Sequence, residues 1–480
     1  MRIKLLLFLI ATHLKRSQGE DPWSFIVIAD PHIAETFASR PETHEWFQDA
    51  FATHLESVTK MKQNYGGDLV LIPGDTNSGK WYLPSFAKDK LHDASLTPAE
   101  AVAIASRGCY GTLKKLFSQG GYDNIMVAIG DHELGTSLSS SMLLLLFLMI
   151  DVVLCHYVKL CSNKYSRICT ILSFFSGGNG WHAGGLKMSV LDDYRYGFQF
   201  FLNRDETGAF LHSKSIGRIP SRPLNTPYEN TSYAQQYKNV LFVTVDCFHD
   251  KGFTFQDNVQ GLGGEGDVTV TVEGLHLKWF ESILKEARQD SSIKHIVVQA
   301  HVPILQPVRL VLSTGQFFDH GGDSEFWKAM EEYNVDIYLA GEVHATTVSK
   351  QKDSNVLQVA SRGNQFNNFL NIQVTDDSIT IRALNEVGVN SNYYEQYGEL
   401  VVDKTGNTTQ ISAEGILEPV SVDSALIRFD FESLFSLNTF EVIGMRDKDE
   451  AIVSIIDMRG MNCSQAMQNK GGLGRKYHYG

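Results

Sequence analysis

The sequence predicts an α/β layered fold, and three observations predict it. Short apolar runs rich in Val, Ile and Leu alternate with longer helical patterns through the first 340 residues, the pattern of stacked sheet and helix layers. Five of those runs lead within three residues to a motif acid or imidazole. From residue 346 onward short strands dominate, as in "VLQVA", "FLNIQV" and "SITIRAL", which predicts a sheet closing the fold and then a β-rich tail to about 445.

The elements follow in order. "FIVIA" (25–29) reads as a buried strand and 45–64 as an amphipathic helix. "DLVLI" (68–72) is a second strand, and a helix over 98–119 starts at Thr97-Pro98, a favoured cap and first-turn pair. "NIMVAI" (124–129) is a third strand. Later strands are "NVLFVTV" (239–245), "HIVVQA" (295–300) and "VDIYLA" (335–340), with a helix over 274–289 between the first two. No internal repeat is evident, and "NKGGLGRKYHYG" at the end reads as a disordered tail.

The chain has 480 residues, 20% of them charged, an ordinary globular composition with room for one large domain or two smaller ones. A formal charge of −13 argues against a nucleic-acid backbone as partner. It leaves a small phosphorylated molecule open, because bound metal inverts a local field. Arg2 and Lys4, the apolar Leu5–Ala11 and the small-x-small Ser17-Gln18-Gly19 predict a signal peptide over 1–19, its apolar run being too short to span a membrane. Sequons at Asn230, Asn407 and Asn462 fit a secreted or endomembrane chain. The six cysteines, Cys109, Cys155, Cys161, Cys169, Cys247 and Cys463, include no CxxC pair, so no zinc ribbon is expected and no disulfide pairing follows.

The strand ends carry the chemistry. "IVIADPH" supplies Asp30 and His32, "VLIPGDTN" Asp75, "VAIGDHE" Asp131 and His132, "VVQAHVP" His301, and "YLAGEVH" Glu342 and His344. One Asp or His after a strand is commonly a cap or a turn residue. Five such ends, each directly after a buried strand, bring carboxylates and imidazoles to one sheet edge, where α/β sheets bind ligands. Like charges gathered there need cations, and two divalent metals bridged by one carboxylate are the simple solution.

At these motifs the chain resembles the calcineurin-like metallophosphoesterases, whose order is D-x-H, G-D, G-[N]-H-[DE], H-x-P, G-[H]-x-H. The resemblance runs from about Trp23 to Asn385 and implies a two-sheet β-sandwich flanked by helices, with a dimetal centre at the strand ends. The domain would cover 23–390, followed by a β-rich extension over 391–450 and a tail over 451–480. By resemblance, Asp30, His32 and His344 would hold the first metal, Asp75 would bridge, and Asp131, His301 and Glu342 would complete the second. A metal-bound hydroxide would attack phosphorus in line, and His132, not a ligand, would protonate the leaving alkoxide.

Two positions depart from that pattern: Asp131 stands where the family usually has Asn, and Glu342 where it has His. Both fall on the second metal. With Asp30 and Asp75 they bring the side-chain charge to −4, where the usual pattern gives −2. Mainly oxygen donors predict a harder ion there (Mn, Fe, Mg or Ca) over Zn, and a less positive, weaker Lewis acid. A degenerate, non-catalytic metal binder is the alternative, although both replacements still bind metal.

Other residues point less clearly. Asp246 and His249 in "VDCFHD" follow a strand, but a structural role is expected. "GLGGEG" (261–266) lacks the strand-then-helix setting of a phosphate loop and reads as a surface loop. Trp81 and Tyr82 read as substrate-facing or as core. Directly behind "GDHELG" comes an apolar stretch with Met142–Ile150 at its heart and three of the six cysteines. Removing 136–176 leaves "IGDHELGGGNGWHAGG", which reads continuously, and the stretch ends in "ILSFF" before Ser-Gly. It reads as a translated, unspliced intron; an apolar lid or membrane-touching hairpin is the competing account, disfavoured by the exposed apolar area and by Asp151.

The expectation is a secreted metal-dependent phosphoester hydrolase acting on a small phosphorylated substrate, first a phosphomonoester, with a phosphodiesterase or nucleotidase next. No nucleic acid and no stable membrane span are expected, and the oligomeric state stays open.

Overall fold

Strands buried on both faces read as continuous apolar runs, and such runs build the centre of two sheets here. In this computed structural model the described residues are 22–134, 190–248, 269–305, 317–318, 320–342, 346–351, 354–361, 368–386 and 394–403, with short strands between 408 and 455. The first sheet has the order β15 (Thr408–Gln410), β14 (Tyr394–Asp403), β13 (Ser378–Glu386), β12 (Asn368–Val374), β1 (Trp23–Val27), β2 (Val70–Ile72), β3 (Ile125–Val127). The second runs β16 (Val420–Ser421), β10 (Thr347–Lys350), β11 (Leu357–Ala360), β9 (Ile337–Ala340), β7 (His295–Gln299), β5 (Val240–Thr244), β4 (Tyr233–Tyr237). Two small sheets pair β6 (Thr269–Val270) with β8 (Phe317–Phe318), and β17 (Leu426–Phe429), β18 (Phe440–Ile443) and β19 (Ser454–Ile455).

Pairing direction decides where the chemistry goes. β1, β2 and β3 are mutually parallel, and so are β5, β7, β9 and β11. Parallel strands deliver all their carboxyl ends to one edge. Strands β1, β2, β3, β7 and β9 are each followed within a few residues by one of the motif side chains. Antiparallel neighbours complete the sheets, β12 on β1 and β4 on β5. Three strands past 391 add to the two sheets: β14 continues the ladder of β13, β15 pairs with β14, and β16 pairs with β10.

The core lies between the sheets. Phe25 of the first meets Phe242 of the second edge to face at 5.1 Å, and Trp23 lies 6.3 Å from the same ring. Polar ties fix how the sheets face. Trp23 Nε1 donates to Asn239 Oδ1 at 2.8 Å, and Gln299 Nε2 to the Met126 carbonyl at 3.0 Å. Buried bonds of this kind resist sliding, because a slip strands both partners in an apolar core. Gln299 closes β7 two residues before His301, and Met126 sits in β3 five before Asp131, so this bond sets the two halves of the site opposite each other.

Flanking helices are α1 (Glu45–Tyr65), α2 (Pro84–Asp89), α3 (Pro98–Gln119), α4 (Leu191–Leu202), α5 (Gly274–Gln289) and α6 (Glu325–Glu332). The "TPAE" start of α3 forms a capping box: Thr97 Oγ1 accepts from Glu100 N at 3.3 Å while Glu100 Oε2 accepts from Thr97 N at 2.8 Å. Its Ala101, Val102, Ala105, Cys109, Leu113 and Leu116 are buried, a stripe at helical spacing turned to the core. The expected strand at 124–129 is shorter, Ile125–Val127, because the following residues leave the sheet for the site. Trp81 and Tyr82 are core: both are buried, and Trp81 stacks on Tyr194 at 5.6 Å. The leader 1–19, the stretch 136–176, the Gly-rich 261–266, His249 and the tail apart from β19 lie outside the described residues. No helix among the described residues is long and apolar enough to cross a membrane.

Two buried imidazoles away from the sheet edge tie stability to pH. His212 stacks on Tyr233 at 4.0 Å and His276 on Tyr228 at 4.4 Å. Burial pushes His212 down to about 4 and His276 down to about 3. The unfolded chain therefore binds protons below pH 6.5 that the native state refuses, so these groups cost stability as pH falls from 6.5 toward those values. Between pH 6 and 4.5, His276→Phe should lose about 1.4 kcal/mol per pH unit less than the parent chain, as read from urea unfolding of metal-stripped protein.

Candidate metal centre

The chain reaches the site through strained turns. Asp30, His32, Asp75 and Glu342 have φ of 44°, 41°, 55° and 60°, left-handed backbone that costs non-glycine residues about 1–3 kcal/mol each. The strain reflects a sharp turn out of each strand that aims the side chain inward. The glycines before Asp75, Asp131 and Glu342 answer a second demand, close approach. A Cβ on Gly130 would collide with Asp75 Oδ1 and come within 2.6 Å of the Asp75 amide nitrogen. One on Gly341 would come within 2.6 Å of Asp30 Oδ1 and 2.8 Å of the Pro73 carbonyl.

Asp75 is the centre. Its Oδ2 is buried and takes no hydrogen bond. His301 Nε2 stands 3.3 Å from it, His132 Nε2 3.6 Å and His32 Nε2 3.9 Å. His301 Nε2 also lies 3.3 Å from Asp131 Oδ1 and 3.4 Å from Glu342 Oε2. Two groups with ligand atoms within 4.8 Å of one another result: His32, Asp75 and His132, and Asp75, Asp131, His301 and Glu342. Asp75 belongs to both, the position of a bridge.

The second group is the set expected for the second metal, including both departures from the family pattern. The first differs in composition. His32 and Asp75 are joined by His132, whose Nε2 stands no farther from Asp75 than that of His32, so the geometry suits it as a ligand as well as a proton donor. Asp30 falls outside both groups, with Oδ1 3.6 Å from His301 Nδ1. His344 lies outside the described residues.

Each imidazole is oriented by a backbone carbonyl. His301 Nδ1 pairs with the Pro73 carbonyl at 2.8 Å, His32 Nδ1 with Asn77 at 3.1 Å and His132 Nδ1 with Ser78 at 3.0 Å. A carbonyl only accepts, so Nδ1 carries the proton and Nε2 turns its lone pair to the site, the arrangement of metal-ligating histidines.

The electrostatics call for positive charge. Asp30, Asp75 and Asp131 are fully buried, and Glu342 is 3% exposed. Burial first, then Asp131, pushes Asp75 up to about 7. Asp30 is raised well above the usual carboxylate range by burial and by Asp75 and Glu342, against the pull of His301. Burial alone would lower His301 and His132, but the surrounding carboxylates outweigh it and both are raised. His32, set against His132, is pushed down by burial to about 3. Carboxylates that bid for protons and lone pairs aimed at them fit divalent cations.

Sequence reading missed Glu133. It is fully buried and accepts from the amides of Asp75 (2.8 Å), Thr76 (2.7 Å) and Gly130 (2.7 Å). The signal was its place in "GDHE", read as motif and given no work. Asp246 is structural, accepting from Thr231 Oγ1 at 2.6 Å and from the Phe248 amide at 3.0 Å.

Because the motif glycines are pressed against ligand groups, Gly130→Ala and Gly341→Ala should each weaken dication binding about 10–100-fold, the usual cost of disturbing ligand support. Titration calorimetry measures this, with circular dichroism checking that the fold is kept.

No family model matches this sequence, and no curated protein does. Among solved structures it is similar to a dimetal phosphatase from Danio rerio, with 12% identity, 80% of this chain and 100% of that one covered and a TM-score of 0.42. A structure titled PhoD shares 11% identity over 84% of this chain and 74% of its own, at 0.45. The purple acid phosphatase PPD1 of yellow lupin shares 11% over 76% and 52%, at 0.38. The motif order, the two-sheet architecture and the meeting of the described motif side chains from both sheets agree with the fold and site plan that the resemblance to the calcineurin-like metallophosphoesterases implies.

Proposed function

We propose that the chain is a metal-dependent phosphoester hydrolase, most active on phosphomonoesters. One observation carries the reading: Asp75 Oδ2, buried and without a hydrogen bond, is surrounded by three imidazole nitrogens and shared between two ligand groups. Asp75, Asp131, His301 and Glu342 would hold one ion. Asp75 and His32, with Asp30 and His344 from the motif, would hold the other. Divalent ions bound there supply Lewis acidity toward phosphoryl oxygens and make water more acidic.

The chain's own residues do the rest. His132 stands at the opening, its side chain 22% exposed, and its Nδ1 is committed to the Ser78 carbonyl. In the imidazolium form the transferable proton is therefore the one on Nε2, available to a departing alkoxide. A general acid at the mouth favours an enzyme over a passive metal binder. The carboxylates Asp75, Asp131 and Glu342 are already buried and fix the field before substrate arrives. The N-terminal leader and the sequons support a secreted or endomembrane location.

The donor set also supports a choice of metal. Three carboxylates and one imidazole suit Mn, Fe(II), Mg or Ca better than Zn at the Asp131/His301/Glu342 position. Four carboxylates in all, with a charge of −4, offset two dications, trading some affinity for phosphate against metal retention.

The chain from Glu20, with and without 136–176, should hydrolyse an aryl phosphate monoester faster than the matching diester when given Mn, and His132→Ala should lose about 10²–10⁴-fold in rate. Metal uptake without turnover of either ester would instead identify a binder. Separately, restoring the family residues with Asp131→Asn and Glu342→His should shift the preferred second ion from Mn toward Zn in competition binding; two tightly held zincs in the parent chain would defeat the preference.

A further inference from the structure

We propose that Glu133 is the positioning residue of the metal centre, acting through residues 73–78 on Asp75 and on all three imidazoles. The proposal rests on the metal-centre reading above. Residues 73–78 form a ribbon with two chemically distinct sides. Its carbonyls face the site. Pro73, Asn77 and Ser78 accept from the Nδ1 atoms of His301, His32 and His132. Gly74, Asp75 and Thr76 accept from the amides of Asp30 (3.2 Å), His32 (3.1 Å) and Ile33 (2.7 Å). Six successive carbonyls are thus spent on the strand-end loops that carry the ligands.

The opposite side carries the amides of Asp75 and Thr76, and Glu133 collects both. Oε2 accepts from the amides of Asp75 and Gly130. Oε1 accepts from the Thr76 amide, from Thr76 Oγ1 at 2.7 Å and from Asn77 Nδ2 at 3.0 Å. Five donors converge on one buried carboxylate, filling the two lone pairs of Oε2 and sharing those of Oε1 among three. The same ribbon holds Asp75 at its left-handed φ of 55°, so its conformation needs this restraint.

Glutamine is not equivalent. Oε2 serves two backbone amides and Oε1 serves a third, so either orientation of a Gln amide turns its NH₂ toward a buried N–H that can only donate. The ribbon would then rotate to find other acceptors, and its carbonyls would leave the imidazoles. A clamp that only stabilised the fold would lower the melting temperature and leave ligand orientation and metal affinity unchanged.

The experiment uses the full chain, Glu133→Gln and Thr76→Val, the last removing one donor of the five. Each protein is stripped with chelator and titrated with Mn²⁺ by calorimetry. Spectra of selectively ¹⁵N-labelled histidine are recorded on the stripped proteins to read which ring nitrogen carries the proton. Glu133→Gln should raise Kd about 10–100-fold, as loss of ligand support does, and should perturb His32, His132 and His301 together. Thr76→Val should move both readouts the same way by less. Wild-type Kd and wild-type histidine spectra in Glu133→Gln, with only the melting temperature lowered, would overturn the proposal. If Glu133→Gln does not fold, unchanged Kd and spectra in Thr76→Val overturn it. If the parent chain takes up no Mn²⁺, the metal reading fails on its own, and retained Nδ1 protonation of all three imidazoles in Glu133→Gln still overturns this one.

Discussion

Four carboxylates buried where the ends of two sheets meet repel one another, and the rest of the molecule is arranged around that repulsion. At about 4 Å and an effective dielectric near 20, one like-charged pair costs about 4 kcal/mol. A protein of marginal stability cannot carry several such pairs uncompensated. Some compensation is built in: His132 and His301 beside Asp75 are raised by the carboxylates around them, and burial drives Asp30 and Asp75 toward their protonated forms. The larger part has to come from cations, which makes the site a place where metal binding and folding are coupled.

Holding such a cluster requires the backbone to be spent on it. Strand ends turn through left-handed conformations at four ligand positions, and glycines precede them where a side chain would strike a neighbouring ligand group. The carbonyls of 73–78 orient rings and loops, while the amides of Asp75 and Thr76 are gathered by Glu133. Local strain and a dense set of buried hydrogen bonds are two sides of one design: the bonds over-determine a geometry that the backbone alone would relax.

Asp131 and Glu342 gain meaning in this setting. Both lie beside His301 Nε2, at 3.3 and 3.4 Å, so the replacements share one half of the centre. Substitutions scattered over the site would suggest decay. Two oxygen donors placed together in one half, with the glycines before them kept, leave that half carboxylate-rich and still able to ligate a cation.

Much was legible in the chain because it depends on local order. Apolar runs marked the strands, "TPAE" marked the start of α3, and acids and imidazoles directly after buried strands marked Asp30, His32, Asp75, Asp131, His132, His301 and Glu342, since a parallel strand must point its carboxyl end toward the ligand edge. The sequence by itself thus determined the α/β class, the candidate ligands and the odd composition of the second group. Only the tertiary structure decided that Trp81 and Tyr82 are core, that β14 to β16 extend both sheets, that His132 lies as close to Asp75 as His32 does, and that Glu133 accepts from the amides of Asp75 and Thr76. These outcomes turn on contacts between residues far apart in the chain, such as Glu133 with Asp75 and Thr76, and their energies exist only once the sheets have packed and excluded water.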